Sequence, residues 1–184
     1  MKRALVFGLS IAAVLAVVAY FLGPRLLYTA DDQVPRNFVA LDARLATAGQ
    51  PSAAQLASLA EQGFGVIVNL SPAGSFGSIA DEGERVRAAG MVYIGLPIQF
   101  DAPSRQDFET LRRALDLHAD RKVLVHCQLN YRASAMVFLY RVVAQGIPPV
   151  AAFAEVEAVW TPNATWREFM NRILAEERIA YEVW

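Results

Sequence analysis

The sequence predicts an α/β domain, a mostly parallel sheet flanked by helices, preceded by one N-terminal transmembrane helix. Aliphatic runs such as Val66-Ile67-Val68 and Val123-Leu124-Val125 lack polar alternation, as strands buried on both faces do. Segments with helical spacing and capping residues lie between such runs, and strands that alternate with helices imply parallel pairing. Ahead of them, the stretch from Ala4 to Leu22 carries no charge and is interrupted only by Gly8 and Ser10.

Residues 1–25 therefore read as a membrane anchor or signal segment. At about 1.5 Å per residue the apolar run is long enough to cross the hydrocarbon core. Lys2 and Arg3 precede it while Asp31 and Asp32 follow. This asymmetry keeps the N-terminus cytoplasmic and places the body on the extracytoplasmic (periplasmic) side, as a single-pass protein. Val17-Val18-Ala19 would also satisfy a small-residue cleavage rule, but the apolar run is long for a signal peptide and Arg25 follows soon after, which favours an uncleaved anchor. Residues 26–35, with Asp31-Asp32-Gln33 and Pro35, form a polar linker. Residues 36–184 fit one domain with a full core.

Within that domain Phe38 to Ala48 gives one or two short strands, and Gly49-Gln50-Pro51 breaks the pattern. Ser52 with Gln55 is a capping box opening a helix that turns Leu56 and Leu59 inward and closes at Gly63. The Val66 strand leads into a flexible loop, Ser71 to Gly77; residues 78–89 read as a charged surface helix and Met91 to Ile94 as the next strand. Pro97 to Pro103 is an irregular loop, since proline at both ends forbids regular pairing. Ser104 with Asp107 caps a helix whose Phe108, Leu111 and Leu115 share a face. After the Val123 strand a helix runs from Arg132 to Gly146, and two more follow, separated at Thr161-Pro162. The aromatic tail, with Trp160, Trp166, Phe169 and Trp184, reads as core.

A net charge of −1 with no basic cluster argues against nucleic acid as a partner. With one cysteine there is no internal disulfide, and no spacing of ligating residues calls for a metal or another cofactor.

Chemistry concentrates between Lys122 and Ser134, K-V-L-V-H-C-Q-L-N-Y-R-A-S. Cys127 follows a buried strand and sits at a helix N-terminus, where free backbone N–H groups and the helix dipole favour a thiolate. Arg132 can grip two oxygens of a tetrahedral oxyanion through its planar fork. A thiolate attacking a phosphate monoester needs an acid for the leaving oxygen, and Asp101, on the loop after the Met91 strand, is the candidate. Asp107 is better explained by its cap. His126 would anchor the loop and support the thiolate, and Ser134 could donate a hydrogen bond to it. Gln128 and Asn130 could shape the loop or position water, while Leu129 and Tyr131 could wall the pocket. The bland alternative is a small buried Cys at a strand end.

The loop together with the upstream segments G-Q-P, V-N-L-S-P and L-P-I-Q-F-D-A-P resembles the bacterial protein tyrosine phosphatase-like family. That family has the dual-specificity phosphatase fold and is related to the phosphatase-like domain of β-lactamase hydrolase-like proteins; the resemblance spans residues 36–175. It implies a metal-free phosphatase acting on a phosphorylated protein, small molecule or lipid through a cysteinyl-phosphate, with Cys127 as nucleophile, Arg132 as phosphate binder and Asp101 as general acid. One feature departs from it: the usual phosphatase loop has five residues between Cys and Arg, and here there are four. Matching Ser134 to the hydroxyl residue after the usual Arg puts that Arg position on Ala133. Rhodanese sulfurtransferases use the shorter loop, so a persulfide carrier is the alternative, with an oxyanion-binding module without turnover as a third.

Overall fold

Strand β5 (Val123–His126) lies at the centre of a five-stranded sheet. It is flanked by β2 (Leu45–Ala48) and β3 (Val66–Asn69), with β1 (Val39–Ala40) outside β2 and β4 (Val92–Gly95) outside β3. All neighbours pair in parallel except β1 with β2, so the sheet is mostly parallel, as the alternation of elements predicts. The computed structural model describes residues 34–184; the expected membrane anchor lies outside the described residues. Among the described residues no helix is long and apolar enough to cross a membrane.

The connections behave as their end signals dictate. Helix α1 (Ala53–Glu61) opens on the Ser52–Gln55 capping box, and α3 (Arg105–Leu117) on the Ser104–Asp107 box. Between them lies α2 (Glu82–Ala88). After β5 come α4 (Tyr131–Val143), α5 (Pro149–Glu157) and α6 (Ala164–Glu176), with the Thr161-Pro162 break between the last two.

Strand parity assigns each side chain to a face. Val66, Val68, Val123, Val125 and Cys127 join the larger core, packed with Phe108 and Leu111 of α3, Met136 and Phe138 of α4, and Trp166 and Phe169 of α6. Ala46, Ala48, Ile67 and Leu124 face the other way, into a smaller core with Leu56 and Leu59 of α1 and Val86 of α2. Asn69 and His126 continue that second parity, and they are register partners at the C-terminal ends of β3 and β5. Cys127, His126 and Asn69 therefore sit at the C-terminal edge of the sheet, where ligands bind in parallel α/β sheets.

Two expectations need correction. The charged surface helix over residues 78–89 shrinks to α2, because residues 78–81 are spent in turns in which the Ser78 N–H meets the Ser75 carbonyl at 2.9 Å and the Glu82 N–H meets the Ile79 carbonyl at 3.2 Å. Nor is its first residue at the surface: Glu82 is only 3% exposed, since it lies one turn before Val86 and shares its inward face. The aromatic tail is core at Trp166 and Phe169, but Trp184 is 81% exposed at the chain end and Trp160 is half-buried.

Trp166 also ties the last helix to the edge of the site, because its indole N–H donates to the Phe100 carbonyl at 2.8 Å. Trp166→Ala removes a fully buried ring and that bond, and is expected to cost about 3–5 kcal/mol in stability, read by denaturant unfolding.

Candidate active site

Cys127 is the first residue after β5, with its thiol in the larger core and its N–H donating to the Ala48 carbonyl at 3.2 Å. The segment that follows is pinned from outside. Gly49 bridges Leu129 in antiparallel fashion, the Gln50 N–H donates to the Gln128 carbonyl at 3.2 Å, and Asn37 Nδ2 donates to the Leu129 carbonyl at 3.0 Å. Gly49 is required there, because a Cβ would come within 3.0 Å of the Arg36 carbonyl and 3.1 Å of the Gln128 carbonyl. The G-Q-P break in the sequence is thus the backstop of the Cys-to-Arg loop.

Asn130 makes the turn into α4. Its backbone is left-handed, with φ of 71°, a conformation Asn tolerates better than most residues. Its Nδ2 donates to the Asn37 carbonyl at 2.7 Å and to Thr47 Oγ1 at 3.0 Å, which ties the loop to the segment before β1 and to β2. The first N–H groups of α4 have no partner within the helix and open onto the same edge.

Arg132, in the first turn of α4, is buried, and among the described residues no carboxylate pairs with it. Its Nε has no hydrogen-bond partner there either. A buried guanidinium without a counter-charge is costly, and an oxyanion supplies what the surrounding side chains do not.

Aromatic rings wall the site. The Arg132 guanidinium carbon stands 5.6 Å from the centre of the Phe100 ring. Phe100 packs on Trp160 and Trp166 at 5.9 and 5.8 Å, and Tyr131 stacks on Trp160 at 4.5 Å with planes 5° apart. Asp101 is exposed, on the turn immediately after Phe100, so the loop that carries it reaches Arg132 through its neighbour. Gln128, Leu129 and Tyr131 are half-exposed along the loop. Ser134 is not placed as expected. Its hydroxyl donates to the Tyr131 carbonyl at 3.2 Å and accepts from the Trp160 indole N–H at 3.2 Å, so its proton is engaged within the helix and its oxygen by the aromatic wall. The sequence alone predicts Trp160 only as core. No local signal exposes its place here, because that depends on how the turn after α5 folds back over α4.

His126 is wholly buried, with Nε2 3.0 Å from Glu82 Oε1. Glu82 also accepts from Gln50 Nε2 at 3.0 Å and from Asn69 Nδ2 at 2.7 Å. Burial pushes the Glu82 carboxyl up, but His126, Gln50 and Asn69 outweigh it and hold the group below its ordinary range. Among the described residues no group of side chains is arranged to hold a metal ion.

Known proteins resemble this chain in sequence and in fold. The phosphatase-like domain of beta-lactamase hydrolase-like proteins matches residues 37–144. A beta-lactamase hydrolase-like protein of Xylella fastidiosa is 30% identical over 111 residues, which are 58% of this chain and 25% of that protein. The chain thus spans about a quarter of the length of the curated relatives it matches. A DUF442 protein of Shewanella putrefaciens CN-32, assigned as a phosphatase, is similar at 30% identity and a TM-score of 0.73, over 81% of this chain and 99% of that one. A Cys-to-Ser variant of P. aeruginosa TpbA, solved in complex with phosphotyrosine, shares the fold at 19% identity and a TM-score of 0.57, over 82% and 87% of the two chains. The chain belongs to the family of the phosphatase-like domain of the beta-lactamase hydrolase-like proteins.

Proposed function

We propose that the protein hydrolyses a phosphomonoester through a covalent cysteinyl-phosphate. The observation that carries this is the buried Arg132 in the first turn of the helix that follows Cys127, which no carboxylate among the described residues pairs with. In this reading Arg132 and the first-turn N–H groups of α4 hold the phosphoryl oxygens, and the Cys127 thiolate attacks phosphorus in line with the leaving oxygen. The P–S bond forms as the P–O bond breaks, and Asp101 gives its proton to the departing oxygen. Water then attacks phosphorus, passes a proton to the Asp101 carboxylate, and releases orthophosphate and the Cys127 thiolate.

The aromatic wall of Tyr131, Trp160 and Phe100 supports an aryl leaving group such as that of phosphotyrosine, although other phosphoesters share the same reacting group. Asp101→Asn tests the acid. It is expected to lower kcat on an alkyl phosphate by about 10²- to 10³-fold and on a nitrophenyl phosphate much less, because nitrophenoxide leaves without help. Equal turnover of the alkyl phosphate by variant and parent removes Asp101 from the mechanism.

One observation favours a second reading. Four residues separate Cys127 from Arg132, the spacing that suits a persulfide, so sulfur transfer from thiosulfate to cyanide is the rival activity. We further propose that residues 1–25 tether the domain to a membrane with the site on the extracytoplasmic side. Sedimentation of the full chain with membranes, and its release by detergent but not by salt or carbonate, is the expected behaviour.

A further inference from the structure

His126, Asn69 and Gln50 come from β5, β3 and the turn after β2, and all three converge on one carboxylate. Parity brings two of them there. Asn69 and His126 are paired across β3 and β5 and both point to the α2 side of the sheet, while Cys127, one residue on, points to the other. Glu82, at the start of α2, meets them with a side chain that is almost fully enclosed.

The surroundings are accounted for on every side. The Asn69 amide group also lies 3.2 Å from the Tyr93 hydroxyl of β4, and Asn69 Oδ1 accepts from the Ser71 N–H at 2.7 Å. Arg87 of α2 lies by Tyr93 and Gly83, whereas Arg85 pairs outside with Asp81. No Lys or Arg among the described residues pairs with Glu82, and the basic group beside it is His126. His126 Nε2 lies 3.0 Å from Glu82 Oε1, although neither ring nitrogen has a well-aligned hydrogen-bond partner among the described residues.

We propose that Glu82 is a positioning residue for the Cys127 loop: one buried carboxylate gathers the residue before the nucleophile, the end of the neighbouring strand, and the Gln50 turn that backs the loop. This rests on Cys127 being the nucleophile of the proposed reaction. Gln50 links the two tiers, because its backbone N–H holds the Gln128 carbonyl while its side chain holds Glu82. A carboxylate suits this place because Gln50 and Asn69 both arrive as amide donors, and Glu82→Gln would turn an NH₂ toward at least one of the gathered groups. Support of this kind sets reacting atoms to within fractions of an ångström, and misplacement by about 1 Å costs of the order of 10²-fold in rate.

The test compares the full chain with Glu82→Gln and Glu82→Asp in three assays: steady-state hydrolysis of a nitrophenyl phosphate, binding of inorganic phosphate, and the rate of Cys127 alkylation by iodoacetate. Glu82→Gln is expected to remain folded, to lose about 10- to 100-fold in kcat with KM changed less than about threefold, and to alkylate about tenfold more slowly. Glu82→Asp, which keeps the charge on a shorter arm, falls between. Folded Glu82→Gln with parental kcat and parental alkylation overturns the proposal. Where Glu82→Gln does not fold, Gln50→Ala takes its place, with a kcat loss of about 3- to 10-fold expected and unchanged kcat overturning the proposal. Alkylation separates this inference from the phosphatase reading. Slowed alkylation in Glu82→Gln, with no phosphate released by the parent, sinks the phosphatase and leaves Glu82 in its role.

Discussion

Cys127→Ser is expected to abolish phosphate release, by at least about 10⁴-fold in kcat, with fold and oxyanion binding retained. A serine hydroxyl at this place cannot use His126 as its base, because His126 points to the opposite side of the sheet, toward Glu82. The swap is nearly isosteric at a buried strand end, so thermal unfolding shifts by only a few degrees. Inorganic phosphate still binds, because Arg132 and the N-terminus of α4 remain. Stopped assays with an aryl phosphate, beside calorimetric phosphate binding, check both halves of this expectation.

Arg132→Lys comes next in size. Lysine keeps the charge but loses the planar fork, and kcat/KM is expected to fall about 10²- to 10³-fold. Stability moves the other way from activity at this position. The guanidinium is buried without a carboxylate partner among the described residues, so Arg132→Met removes an uncompensated charge and is expected to leave the melting temperature unchanged or raised. A structural ion pair would show the reverse, with stability lost along with function.

What could be read from the sequence divides along a physical line. Local signals held: both capping boxes formed, the β-branched and aliphatic runs became the inner strands, and Pro97 to Pro103 stayed irregular. Cys127 and Arg132 stand out in the sequence as candidates because one short loop carries both. Glu82 was not, since its meaning depends on the relative parity of β3 and β5 and on a helix start that charge patterning placed four residues too early. A run such as D-E-G-E-R reads as a solvated face, and only the Val86 spacing hints that its second residue turns inward. Ser134 failed for a similar reason. A first-turn serine has its own helix's carbonyls within reach, and Trp160, 26 residues away, takes the oxygen.

The Shewanella relative matches almost its entire length, whereas the Xylella one is four times longer than the matched region. The phosphatase-like unit thus occurs in proteins of quite different length.

The most direct measurement is the mass of the peptide containing Cys127, taken from the full chain quenched during turnover of an aryl phosphate and, separately, during exposure to thiosulfate. The account predicts an added phosphoryl group on Cys127 in the first sample, absent in Cys127→Ser, and an unmodified peptide in the second. An added sulfur atom in the second, with no phosphoryl group in the first, would contradict it and make the short Cys-to-Arg loop a persulfide carrier.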